Sequence, residues 1–207
     1  NGSLPRPAAS ASRPPELVRY TGNDRATRLA AVALAWNVFQ HFYPYFDVVK
    51  TDWPSLLGPT LRAAAECPDD VAFTFVLRRL VWALHDGHGS VTGPAPNWFA
   101  AVPVSWTLID DQLVVTAVDA SAAGGIAAGD VVESIDGQPV RAAIDAAQSL
   151  MSSATAQWSR HRALTEIRLG PPDSQASLFV RSADGSRRTV VVKRSATEFA
   201  LDSPRPA

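Results

Sequence analysis

The stretch His85-Asp86-Gly87-His88-Gly89-Ser90 is the densest run of chemically competent side chains in the sequence. A histidine on a glycine-flanked loop can approach a partner closely, and an imidazole with an ordinary pKa of about 6.5 takes up and returns a proton near neutrality. His88 is therefore a candidate general base, with a solvated loop histidine as the plain alternative. Ser90 would need a hydrogen-bonded base and an oxyanion hole to act as a nucleophile. Neighbours in sequence seldom reach that geometry, and the chain has no Gly-x-Ser-x-Gly elbow, so Ser90 reads as a loop serine. His85 and His88 would share a helical face only if a helix continued through Gly87, and no cysteine or acidic cluster accompanies them. No metal and no cofactor is expected. His41 and His161 read as surface or boundary residues, and Cys67, before Pro68, as a small residue at a helix end.

The elements that hold this loop are legible upstream. Leu29, Val32, Trp36, Phe39 and Tyr43 recur at three- and four-residue steps, the stripe of an amphipathic helix over 25–43 that Pro44 ends. Asp52 caps a second helix, with Pro54 tolerated in its first turn and Leu57, Leu61 and Ala64 facing inward. Asp69 and Asp70 suit the positive N-terminus of a third helix, over 69–85, whose stripe is Phe73, Val76, Leu77, Leu80 and Leu84. Trp36, Trp53 and Trp82 are expected in the core. Three helices with short connections form a small bundle.

After Gly87 the texture changes. Pro94, Pro96 and Pro103 with Gly89 and Gly93 mark a boundary, and strands follow at 102–109 and 113–118 around an Asp110-Asp111 turn. A strand over 131–135 closes on Asp136-Gly137. A helix over 141–151 carries Ile144 and Ala147 on one side, and 178–180 pairs with 189–192 around Asp184-Gly185. The fold class is α+β, a small three-helix bundle followed by a β-rich unit.

Bulk properties exclude several function classes. The 207 residues carry a net charge of −1 with no Lys/Arg run, so nucleic acid is not an expected partner. No apolar run approaches the roughly 18 residues of a membrane span. A single cysteine rules out an intrachain disulfide scaffold.

The segment from Val118 to Val140, with Gly125-Ile126, Gly129-Asp130 and then Asp136-Gly137-Gln138-Pro139-Val140, resembles the signature of bacterial protease PDZ domains. A helical stretch ending in the 84–91 loop immediately before it is similar to the arrangement of S41 serine peptidases, the tail-specific protease and tricorn type. Residues 156–164 resemble insertions in some bacterial members. The resemblance covers about residues 25–193.

It implies a flexible Pro/Ala-rich arm over 1–20 and a helical domain over 21–95. A PDZ domain follows over 96–198, built as a partly open β-barrel or sandwich with one or two helices. Residues 199–207 are then a tail leading to a catalytic core absent from this chain. The implied function is that of a non-catalytic N-terminal fragment of an S41-type serine endopeptidase. Its partners are a peptide or unfolded protein substrate and its own catalytic core, and its location the periplasm or outside a bacterial cell. A free-standing PDZ adaptor that cuts nothing is the alternative. In the tricorn branch a loop histidine serves as base for a serine from the core, and His88 stands at that position. Gly87 stands where that branch has a second catalytic serine. The other branch uses a Ser–Lys dyad from the core, with His88 a bystander.

PDZ domains bind by adding the ligand as a strand to a sheet edge. The resemblance places the groove between 104–109 and the 141–151 helix, lined by Trp106, Leu108, Ala147 and Leu150, with packing as the other reading of Trp106. In place of a glycine-rich carboxylate loop stand Phe99-Ala100-Ala101-Val102-Pro103, and Pro103 has no N–H. The expected ligand is an internal segment, or the domain is a regulatory lid.

Overall fold

The computed structural model describes residues 20–91, 100–119 and 125–195. The arm before Tyr20, Pro94, Pro96, residues 120–124 of the PDZ signature and the 199–207 tail lie outside the described residues.

Helix α1, Arg25–Phe42, starts where the Asp24 carboxylate accepts the Thr27 N–H at 2.6 Å. It ends at Tyr43, held extended by the proline that follows. One turn, α2 (Phe46–Val49), is stopped by Lys50 in the left-handed region, and was not expected from the sequence. Helix α3, Trp53–Glu66, is capped by Asp52, and α4, Asp70–Trp82, by Asp69, whose carboxylate accepts the Ala72 N–H at 2.7 Å.

Two side chains lock α1 to α3. Buried Arg28 donates to Ala64 O at 2.7 Å, satisfying a carbonyl in the last turn of α3. Trp36 and Trp53 exchange indole N–H bonds with each other's backbone carbonyls at 3.0 and 3.1 Å. The helices close over Trp53, Leu80 and Leu84 at one end and Val32, Ala64, Phe73 and Val76 at the other. Trp82 departs from expectation: it is 39 % exposed and meets His85 edge-on, because α4 has turned its buried stripe inward one position earlier, through Val81.

The second unit is an antiparallel sheet with two helices. Its strands are β1 (Ala100–Ala101), β2 (Val104–Ile109), β3 (Gln112–Val118), β4 (Val131–Ile135) and β5 (Gln138–Pro139), then, after the helices, β6 (Leu169–Gly170), β7 (Gln175–Arg181) and β8 (Arg187–Lys193). The helices are α5 (Val140–Gln148) and α6 (Ala156–Glu166). The sheet order is β2-β3-β4-β7-β8, with β5 also on β4, while β1 and β6 form a separate two-stranded ribbon. The arrangement is mixed α+β with no closed barrel among the described residues.

The turns explain the register. Asp110 and Asp111 both have positive φ (49° and 59°), and Ile109 pairs with Gln112 across them, a two-residue hairpin whose twist matches the strands. Asp136 and Gly137 repeat the device between Ile135 and Gln138. Alternate residues Leu113 and Val115 of β3 and Leu178 and Val180 of β7 are then thrown onto one buried face, where Ile144, Ala147 and Ala163 meet them. Truncating any one of these leucines to alanine costs about 2–5 kcal/mol.

Candidate functional site

The Gly129-Asp130 pair carries a role beyond its turn. Asp130 is 4 % exposed; its carboxylate accepts the Ala127 N–H at 2.9 Å and the Ser182 hydroxyl at 2.9 Å, and pairs with the Arg188 guanidinium at 2.6 Å. Arg188 also donates to Gly125 O at 2.7 Å and to the Ser182 hydroxyl. One carboxylate thus ties the segment before β4 to the β7–β8 hairpin.

Among the described residues β2 has one strand neighbour, β3, and is a sheet edge. The edge is interrupted by a bulge between Ser105 and Trp106. Leu108 lines an open cavity of about 390 Å³ that continues over Leu113, Val132 and Ile144, with Arg141, Asp145 and Arg160 at its rim. Trp106 is 8 % exposed and its indole N–H is spent on Leu164 O at 2.9 Å. Ala147 is buried in the core of the sheet unit. Leu150 lies at the other end of α5, in a small cleft against the helical unit with Arg78 and Val81. Of the four expected groove residues, the structure brings Leu108 alone into the open cavity.

Helix α6 accounts for the burial of Trp106. Thr155 caps it by accepting the Trp158 N–H at 3.2 Å. It lies beside α5, where Gln148 donates to Ser159 at 3.0 Å, and against β2 through Leu164 and Trp106. Sequence reasoning did not assign it as a helix. Its signals were the Thr155 cap and the lack of glycine or proline through residue 169; its apolar stripe is too short to show.

The His88 loop sits where the two units meet. Leu84 is 1 % exposed and ends the core, and His85 turns the chain with φ 49°. Asp86 Oδ1 then accepts both the backbone N–H of His88 and contacts its Nδ1, each at 2.9 Å. These bonds, the backbone one foremost, hold the Asp86 carboxyl below its ordinary range despite partial burial. With Nδ1–H directed at Asp86, Nε2 is left as the free basic nitrogen, on a side chain that is fully exposed. The loop is pinned from three sides: the Tyr43 hydroxyl donates to Leu84 O at 2.8 Å, the Asp86 N–H donates to the buried Ser152 hydroxyl at 2.8 Å, and Gly89 fits between Val81 and Ser152. Burial pushes the Tyr43 phenol up, with nearby Asp86 adding to it. The units are further joined by Arg78, which pairs with Glu166 at 2.8 Å and donates to Leu150 O at 3.2 Å.

Ser90 lies in the small cleft with Leu150. Among the described residues no group of three or more His, Cys, Asp or Glu is placed to hold a metal. Cys67 donates to Ala64 O at 3.3 Å from the end of α3. His161 stacks on Trp158, with ring centroids 5.4 Å apart. No described helix is long and apolar enough to cross a membrane.

No protein-family model matches the sequence, and no curated protein matches it. Solved structures do. Mature CPAF superposes with a TM-score of 0.67 at 18 % identity, over 82 % of this chain and 34 % of that one. Mature CPAF complexed with lactacystin gives 0.68, 18 %, 82 % and 35 %. The PDZ domain of a carboxy-terminal protease from Vibrio cholerae, in complex with peptide, aligns over 46 % of this chain at 14 % identity, but its TM-score of 0.32 adds no weight. The chain therefore shares the fold of part of mature CPAF, and it spans about a third of the length of the CPAF chains it matches.

Proposed function

We propose that this chain is the substrate-engaging front part of an S41-type serine endopeptidase of the bacterial cell envelope or exterior. In this reading it supplies a peptide-binding PDZ unit and a general base, and a core outside the chain supplies the nucleophile. The observation that carries the reading is the oriented and fully exposed His88, held by Asp86 on a loop fixed at the junction of the helical and sheet units. The fold shared with CPAF supports it.

The chemistry follows from the geometry. Asp86 fixes the Nδ1–H tautomer and stabilises the imidazolium that forms once Nε2 takes a proton. A serine hydroxyl brought to Nε2 is thereby activated for attack on a peptide carbonyl, and the same nitrogen returns the proton to the leaving amine. Full exposure of His88 leaves the room that a docked core requires. The edge strand β2 offers backbone groups to an extended substrate, which adds sequence-tolerant affinity.

The test is His88→Ala in the complete protein. Peptide hydrolysis is expected to fall about 100- to 10,000-fold, the usual worth of a general base, with substrate binding retained. Undiminished hydrolysis would make His88 a structural loop residue. The 207-residue chain alone is expected to cut nothing; turnover of casein by the purified chain, abolished by Ser90→Ala, would overturn the division of labour.

A further inference from the structure

A sheet edge that receives the free carboxyl end of a peptide needs backbone N–H donors before the strand, because a carboxylate is held by two or three such bonds. Here the N–H donors over 101–104, leading into β2, are engaged among the described residues. Ala101 N–H goes to Ser195 O at 3.0 Å, Val102 N–H to Arg168 O at 3.0 Å and Val104 N–H to Val102 O at 2.8 Å, while Pro103 has none. Beyond them α6 packs on the Trp106 side chain, with Ala163 fully buried and Leu164 O accepting the indole N–H.

The cover is fixed at both ends. Before α6, Ser152 is held by Asp86 N–H and, through its carbonyl, by Arg162 at 3.0 Å. After it, Glu166 pairs with Arg78, and Arg168 O is bonded to Val102. What stays open is the Leu108 end, a cavity of about 390 Å³ within the roughly 300–1,000 Å³ of ordinary ligand sites. Its lining sets apolar Leu108, Val132 and Ile144 beside Glu133 and Arg181, with Arg141 and Asp145, 74 % and 61 % exposed, also facing it.

We infer that α6 and the committed 101–104 donors set the specificity of this domain: it takes an internal stretch of extended chain, seating one bulky apolar side chain over Leu108 and Ile144, and does not read a free C-terminus. The inference rests on the peptide-binding reading above and narrows it to a substrate class. A strand lying along the last residues of β2 can add its backbone to the edge there, beyond the reach of α6.

Fluorescence anisotropy on the 207-residue chain tests this with a labelled twelve-residue peptide bearing a central Phe. Three forms are compared: free carboxylate, C-terminal amide, and a four-residue C-terminal extension. The three dissociation constants are expected to agree within about twofold, and replacing Phe by Ser is expected to weaken binding about tenfold or more. Asp145→Trp places a large side chain over the cavity mouth at an exposed position, and should abolish binding with an unchanged circular dichroism spectrum. A preference of about tenfold for the free carboxylate would overturn the inference and leave the peptide-binding reading standing. So would full binding by Asp145→Trp. If none of the peptides binds, the inference falls together with that reading.

Discussion

Asp130→Ala isolates the interaction that closes the sheet unit. The substitution removes the acceptor for Ala127 N–H and for the Ser182 hydroxyl, and leaves Arg188 without its carboxylate. Breaking a buried pair by deleting one partner costs about 3–5 kcal/mol. The Arg188 side chain is 36 % exposed and keeps its bond to Gly125 O, so solvent recovers part of that, and the lower end, about 3 kcal/mol, applies. Asp130→Asn keeps one oxygen for Ala127 N–H and loses the charge, so about half the cost is expected, close to the value of a charged hydrogen bond. Urea unfolding of the 207-residue chain, followed by far-UV circular dichroism, reads the difference as a lower midpoint. In a cooperative unit of about 100 residues, 3 kcal/mol also lowers Tm by roughly 12–24 °C. If Asp130→Ala unfolds within about 0.5 kcal/mol of the parent, as ordinary surface substitutions do, then the carboxylate does not hold the β4 and β7–β8 segments together.

Two further perturbations address the His88 loop. The Asp86 carboxyl is held below the ordinary aspartate value of 3.8, so its contribution to stability is fully present above that pH and is lost as pH falls through the lowered folded value. Carboxyl chemical shifts should give an Asp86 midpoint below 3.8, with the His88 amide losing protection over the same range. A midpoint at or above 3.8 would mean that the Asp86–His88 bonds do not persist in solution. Gly89→Ala would place its Cβ 2.9 Å from Val81 Cγ1, 3.1 Å from Ser152 Cβ and 3.2 Å from Asp86 O. Overpacking of this kind costs about 1–3 kcal/mol, measurable by urea unfolding, whereas Gly58→Ala, with open space around it, should cost nothing by contact.

The readable parts of this fold were those whose information is local. Asp24, Asp52 and Asp69 stand where three helices begin, and the sequence alone marks Asp52 and Asp69 as caps or N-terminal signals. The Asp110-Asp111 and Asp136-Gly137 turns announced their hairpins because residues that tolerate positive φ are few. What stayed hidden depends on distant partners. Asp130 read as a turn residue because Arg188 lies 58 positions away. Trp106 reads as core packing first and groove second, and the carbonyl that decides it, Leu164 O, belongs to a helix with too little apolar periodicity to stand out. Leu150 was placed beside Leu108 by its helix, but α5 ends at Gln148, and the chain turns Leu150 toward Arg78 instead. At the His88 loop the residue types were legible, and the Asp86 bonds that orient the imidazole were not.

Hydrogen exchange on β2 bears most directly on the central claim that this chain grips extended polypeptide at a sheet edge. Saturating the 207-residue chain with a permanently unfolded protein, such as carboxymethylated lactalbumin, should slow exchange at Leu108, whose N–H faces away from β3, and leave β8 unchanged. Slowed exchange confined to the helices, or binding with no change along β2, would contradict it.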